Sequence, residues 1–246
     1  MMDYKPAPDL LKNRIVLVTG AGDGIGRASA RTFAQYGATV ILLGRTTRKL
    51  EAVYDEIEQA GYPQPAIYPM NLEGASPKDY TDLVATLNNE FGQLDGILHN
   101  AGLLGALAPI EHYDINLWYN VIQVNINAPF LLTRACLGLL RKSSDASIIF
   151  TSSSVGRKGR AYWGAYAVSK FATEGLMQIL ADELVENTAI RVNSINPGAT
   201  RTGMRAAAFP AEDPNTLKTP EEIMLTYLYL MGADSRGITG QALNAQ

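Results

Sequence analysis

Cysteine occurs once and histidine twice in the 246 residues of this chain. A single Cys136 cannot form an internal disulfide, and its place in the apolar stretch 131–140 predicts a small buried packing residue. His99 and His112 are far apart and lack companions at metal-ligand spacing, so no metal site is expected. Neither sign of charge dominates: 21 Lys and Arg stand against 24 Asp and Glu, a net charge of −3. That balance gives a nucleic-acid backbone nothing to bind. Long apolar runs are missing too, which predicts no membrane span. Residues 1–13 carry Asp3 and Asp9 and lack the apolar core of a signal peptide, so a cytoplasmic location is expected. There is no linker, tandem repeat or low-complexity tract.

What is present reads as one soluble α/β domain over residues 1–246, with 47% hydrophobic and 18% charged residues. Residues 1–13 form an N-terminal extension to it. Apolar runs at 14–19, 39–43, 66–70, 95–99, 147–151 and 190–195 predict strands, the first two buried on both faces. Helical patterns lie between them, at 24–36, 46–60, from Ser76-Pro77 onward, 114–140 with a bend near Pro129, and 166–185. Alternation of this kind predicts a doubly wound parallel sheet of Rossmann type with helices on both faces. Residues 203–219 break the alternation as a long loop after the sixth strand, where such sheets bind ligands, and are expected to form a substrate loop.

Thr19-Gly20-Ala21-Gly22-Asp23-Gly24-Ile25-Gly26 joins the first strand to the first helix. Glycines there permit a tight turn and close approach of backbone to a pyrophosphate, and the helix N-terminus offers free N–H groups to the anion. The placement predicts a dinucleotide site. An acid at the end of the second strand would bind ribose hydroxyls, whereas Arg accommodates a 2′-phosphate. No Asp or Glu occurs between Gly26 and Glu51, and Arg45 follows the strand with Arg48 and Lys49 beyond. The cofactor expected is therefore NADP(H).

Tyr166 and Lys170 are one helical turn apart, about 6 Å along the axis, and share a face. A free phenol titrates near 10, too high for acid–base work at neutral pH. A cation beside it would favour the phenolate and lower that value. Ser152, Ser153 and Ser154 lie upstream, and residue type alone does not choose among them.

Together these segments resemble the short-chain dehydrogenase/reductase family. The glycine loop matches its Thr-Gly-x-x-x-Gly-x-Gly motif. His99-Asn100-Ala101-Gly102 resembles its Asn-Asn-Ala-Gly segment, with His for the first Asn. Asn125 matches the helix asparagine of the catalytic tetrad. Ser153 stands thirteen positions before Tyr166, the family spacing. Pro197-Gly198-Ala199-Thr200-Arg201-Thr202 matches the Pro-Gly stretch whose threonine contacts the nicotinamide half. Asn71-Leu72 stands where the family often has an Asp placed against adenine, and an amide can make that contact. Residues 240–246 lack the family's Asp-Gly-Gly close.

The resemblance implies hydride transfer between nicotinamide and a carbonyl or alcohol. Tyr166 would donate or accept the proton, Ser153 would hydrogen-bond the reacting oxygen, Lys170 would hold the ribose, and Asn125 would anchor a water chain. It also implies cofactor contacts from Gly20, Asp23, Gly24, Ile25, Gly26, Arg45, Asn71, Leu72, Asn100, Ala101, Gly102, Pro197, Gly198, Thr200 and Thr202. Pairing of the two long helices into a homodimer or homotetramer is implied as well. Without the other motifs, Asn125 reads as a satisfied polar residue on a packing face, and Asn100 and Thr202 as turn and cap residues. Pocket walls are expected from residues 103–107, 155–163 and 204–209, mixing apolar groups with Arg157, Lys158, Arg160 and Arg205. A second reading of the same residues is a non-catalytic NADP(H)-binding sensor or scaffold.

Overall fold

The computed structural model describes residues 4–246. Seven parallel strands make one sheet in the order β3-β2-β1-β4-β5-β6-β7. They are β1 Ile15–Thr19, β2 Thr39–Gly44, β3 Ala66–Pro69, β4 Gly96–His99, β5 Ala146–Thr151, β6 Ile190–Asn196 and β7 Ala242–Asn244. The apolar runs become strands because both faces are covered. Leu17 enters the core on one side while Val16 and Val18 enter the core on the other.

One core packs α3 (Pro77–Phe91), α5 (Ala128–Leu140) and α6 (Gly164–Val185) through residues such as Leu83, Leu132, Cys136 and Leu180, and α4 (Ile115–Ile122) lies against α6. Cys136 is fully buried there, and burial pushes its thiol up to about 12. The other core packs α1 (Gly24–Gln35), α2 (Thr47–Gln59) and α8 (Met224–Met231) through Phe33, Ile57, Tyr227 and Met231. Strand order reverses at β1 and β4, so a crevice opens outside their carboxyl ends.

Helix starts follow their sequence signals. Asp23 caps α1, accepting the Gly24 N–H at 2.8 Å. Ahead of Pro77, the Asp79 carboxylate receives both the backbone N–H and the hydroxyl of Ser76 at 2.7 Å.

Two expectations are corrected, and the N-terminal extension takes a definite place. The 114–140 helix is interrupted by a π turn at Gln123–Asn127, ahead of Pro129 rather than at it. Pro129 has no N–H for the carbonyl four residues back, and the chain answers with a wider i to i+5 turn, in which the Ala128 N–H reaches the Gln123 carbonyl. Residues 203–219 are not an open loop: Thr202 caps the short helix α7 (Gly203–Ala208), and a 3₁₀ turn follows at Pro214–Thr216. Within the 1–13 segment, Met1, Met2 and Asp3 lie outside the described residues. Beyond them, Leu11 is fully buried and the Tyr4 hydroxyl donates to Asp234 at 2.7 Å. Residues 4–13 are therefore packed onto the domain.

Opposite the crevice, Asp145 receives Arg14 and Arg191, each at 3.0 Å, with Arg236 at 3.5 Å. Burial would push this carboxyl up, but Arg191 and Arg14 hold it below the ordinary carboxylate range.

Candidate functional site

A cleft of about 620 Å³ runs across the carboxyl ends of the strands. Thr19 stands just before the glycine loop that lines it. This hydroxyl accepts the N–H groups of Asn100 and Ala101 at 2.9 and 3.0 Å, stapling the end of β1 to the segment after β4. Gly20, Asp23, Gly24, Ile25, Asn100, Ala101 and Gly102 line the cleft. Gly26 lies just behind them, where a Cβ would fall 2.1 Å from the Gly20 carbonyl oxygen. Only glycine lets the first turn of α1 close onto the loop and leave a smooth concave backbone surface.

At one end of the cleft stand Arg45, Lys49, Asn71, Leu72 and Glu73. Arg45 is mostly exposed and 3.8 Å from Glu73. Lys49 reaches back to Asp23 at 2.6 Å, which helps hold the Asp23 carboxyl below its ordinary value. Lys49, rather than Arg48, turns toward the cleft. Glu73 was not foreseen: it comes from the segment after β3, and only the fold brings it beside Arg45. Asn71 accepts the Glu73 N–H at 3.3 Å, shaping this turn.

Ser153, Tyr166, Lys170, Pro197, Gly198, Thr200 and Thr202 converge at the other end. β5 delivers Ser153, and the face of α6 delivers Tyr166 and Lys170. The Ser153 hydroxyl is near enough to the Tyr166 phenol to favour its charged form. Lys170 is buried, donates to the Thr151 carbonyl at 2.7 Å and lies 5.5 Å from the centre of the Tyr166 ring. Burial pushes the Tyr166 phenol up to about 12, although the Ser153 hydroxyl pulls it down. Burial pushes the Lys170 ammonium down to about 8, opposed by Glu174. This corrects the expectation of a phenol lowered by its lysine: in this arrangement desolvation wins, and Tyr166 holds its proton at neutral pH.

The neighbouring serines part company. Ser152 is buried and its hydroxyl has no hydrogen-bond partner among the described residues, whereas Ser153 lies beside Tyr166. Asn125 does not line the cleft. Its side-chain amide accepts the Leu103 N–H at 2.8 Å and donates to the Leu103 carbonyl at 3.0 Å and Ser169 at 2.9 Å. That side chain is committed to holding the 103 loop onto α6 from within the π turn. Thr202 is a cap, accepting the Arg205 N–H at 3.1 Å, as well as a lining residue. Gln246 was missed by sequence reasoning. It donates to the Pro197 and Ala199 carbonyls at 2.7 and 3.1 Å and props the Pro-Gly stretch from behind.

Leu103, Leu104, Trp163, Met204, Arg205, Ala208 and Phe209 close the remaining wall. Trp163 packs against both Tyr166 and Phe209, with ring centres 5.8 Å apart in each pair. Arg205 lies over Phe209 and pairs with Glu212. Tyr162 is exposed, and Arg157 turns away from the cleft toward Glu174 and β7. His99 is also outside it, stacked on Phe150 and bonded to Thr133 at 2.8 Å. Burial lowers the imidazole to about 3, so it stays neutral. Among the described residues no group of His, Cys, Asp and Glu side chains could hold a metal ion, and no helix is long and apolar enough to cross a membrane.

Known proteins share this arrangement. The short chain dehydrogenase family model matches residues 14–213. The oxidoreductase YciK of Escherichia coli K12 is 55% identical over 245 residues, covering 100% of this chain and 96% of YciK. A short chain dehydrogenase structure from Pseudomonas syringae has a TM-score of 0.98 at 61% identity, covering 100% of both chains. Another, from Escherichia coli CFT073 complexed with NADPH, has a TM-score of 0.95 at 56% identity and covers 98% of this chain and 100% of its own. A family match that spans the glycine loop, Ser153, Tyr166 and Lys170, with a relative 55% identical over the whole chain, leaves one conclusion: the chain belongs to the short-chain dehydrogenase family of oxidoreductases.

Proposed function

We propose that the protein is an NADP(H)-dependent oxidoreductase that interconverts a carbonyl and an alcohol, with Tyr166 as the acid and base. The observation that carries this is a single cleft with a hydroxyl, phenol and lysine at one end and a mostly exposed arginine at the other. The residues present fit the cofactor. Gly26 tolerates no Cβ, the N-terminus of α1 faces the cleft, and Arg45 is held only by a 3.8 Å contact, free to meet a phosphate. The NADPH-complexed relative supports the same cofactor here.

When bound, the nicotinamide supplies or takes the hydride. Tyr166 supplies the proton to a carbonyl oxygen and, as phenolate, takes it from an alcohol. Ser153 donates to the same oxygen as its charge develops. Lys170, still charged below about pH 8, holds the cofactor ribose. The Asn125 side chain fixes the wall at Leu103, and the water-chain role rests on family resemblance alone. Trp163, Phe209, Met204 and Leu104 suit a substrate with an apolar body.

Ile115, Tyr119 and Phe130 on α4 and α5, with Val168, Phe171 and Ile179 on α6, are exposed. They suit pairing into a homodimer or homotetramer, which sedimentation at micromolar concentration tests. A cytoplasmic location completes the reading. Titration with NADPH, then a screen of carbonyls and alcohols read at the reduced-nicotinamide absorbance band, tests the whole. Turnover by the intact protein that is lost in Tyr166→Phe, with cofactor binding retained, is the expected result. NADPH bound with no substrate converted would favour the sensor reading.

A further inference from the structure

Behind Lys170 lies a buried charge that the cleft does not use. Glu174 follows Lys170 by one turn of α6 on the same face and is 7% exposed. Both carboxylate oxygens are engaged: one accepts Arg157 at 3.3 Å, the other accepts the Ser194 hydroxyl of β6 at 2.7 Å. Arg157 also donates to the side chain of Asn244 at 2.8 Å and the carbonyl of Leu243 at 3.1 Å, both in β7. The 3₁₀ turn Ser154–Gly156 that carries Arg157 presses on Lys170 itself. A Cβ at Gly156 would lie 2.7 Å from the Lys170 carbonyl oxygen and 2.8 Å from its Cβ. The Glu174 charge acts on the Lys170 ammonium through space, and Arg157 pairs with that glutamate and ties it to the sheet edge.

We propose that Glu174 is a positioning residue for Lys170, keeping the ammonium charged and directed at the cleft, and that Arg157 sets how strongly it does so. An ammonium in a desolvated site needs a nearby negative charge to stay protonated. Among the described residues, the charged or titratable groups set around Lys170 are Tyr166 and Glu174 of its own helix; beyond them, Arg157 of the turn after β5 meets Glu174, and Tyr227 of α8 lies near Tyr166. Lys158 of that turn is exposed. β6 and the π turn present the uncharged Ser194 and Asn125. Glu174 is thus the single acid in this set. Arg157 offsets part of its charge.

The inference rests on the reading that Lys170 holds the cofactor ribose. The test is the pH dependence of NADPH affinity, followed by fluorescence from pH 6 to 10. The intact protein should bind NADPH evenly up to about pH 8 and more weakly above it. Glu174→Gln keeps the shape and removes the charge, and its alkaline limb should move down by about one pH unit. Arg157→Gln leaves Glu174 less compensated, and its limb should move up. A merely structural pair would weaken binding at every pH in both variants without moving the limb, and that result would overturn the proposal. So would shifts of the same sign in both. Should Glu174→Gln fail to fold, the upward shift in Arg157→Gln carries the test alone, and an unmoved limb there is equally fatal. Failure of the intact protein to bind NADPH at any pH would instead sink the cofactor reading, and this inference with it.

Discussion

The two directions of the reaction should depend on pH in opposite ways, because the cleft keeps the phenol protonated and the lysine only marginally so. Burial places Tyr166 at about 12, so at pH 7 about one molecule in 10⁵ carries the phenolate. Carbonyl reduction uses the protonated phenol and should be level from pH 6 to 8. Alcohol oxidation uses the phenolate, whose population grows tenfold per pH unit in that range. Its kcat/KM should therefore rise about a hundredfold between pH 6 and 8. Lys170 loses its proton at about 8, so above that value reduction should fall and the rise in oxidation should flatten. The assay is kcat/KM in both directions at saturating cofactor for any convertible pair, read at the reduced-nicotinamide band. Tyr166→Phe provides the control. An oxidation rate that stays level between pH 6 and 8 would refute the assignment of a burial-raised phenol as proton acceptor.

Arg45→Asp should weaken NADPH binding by about 10–100-fold while leaving NADH little changed, since a charge-assisted hydrogen bond is lost; competitive titration of the two cofactors decides it. Gly26→Ala would set a methyl 2.1 Å from the Gly20 oxygen, so the loop must move, with an expected cost of about 1–3 kcal/mol in urea unfolding and loss of measurable NADPH binding. Ser153→Ala should cut turnover by about 10²–10³-fold, whereas Ser152→Ala, whose hydroxyl is sealed away from Tyr166, should cost far less; steady-state rates compare them. Asp145→Asn strands two nearly buried guanidiniums and should destabilise the fold by about 3–5 kcal/mol by urea titration at pH 7. The Asp145 carboxyl is held low when folded. Its contribution is therefore present above the ordinary carboxylate value and lost as pH falls through the lower folded one.

Much of this architecture was legible because its signals are local. The strands buried on both faces announce themselves as unbroken apolar runs, and Asp23, Ser76 and Pro77 mark helix starts through their immediate neighbours. β7 left no such mark: three residues, largely exposed, held by β6. α7 is only six residues long, and the threonine before it reads equally as a cap or a cofactor contact. In the site, Tyr166, Lys170 and Ser153 share a spacing that chemistry constrains, and they could be read directly. Glu73 and Gln246 could not be, since packing alone brings Glu73 beside Arg45 and Gln246 behind the Pro-Gly stretch. The direction of the Tyr166 shift was misjudged for a related reason. Sequence shows that a lysine is near, but not that both groups are desolvated.

The sheet order is also a timetable. β1 lies between β2 and β4, and Arg14 at its foot meets Asp145 only after a further 131 residues. At ordinary rates of synthesis that wait is on the order of ten seconds. During that wait and beyond it the growing molecule carries a raw margin: first β1, then β4, then β5, then β6 stands outermost, each a strand that has neighbours on both sides in the finished sheet. Such margins invite pairing with other nascent chains. The last strand to arrive, β7, is the shortest and among the most exposed, a poor template for anything further. Its late arrival seals the edge, so chains halted before residue 242 should be the ones that aggregate.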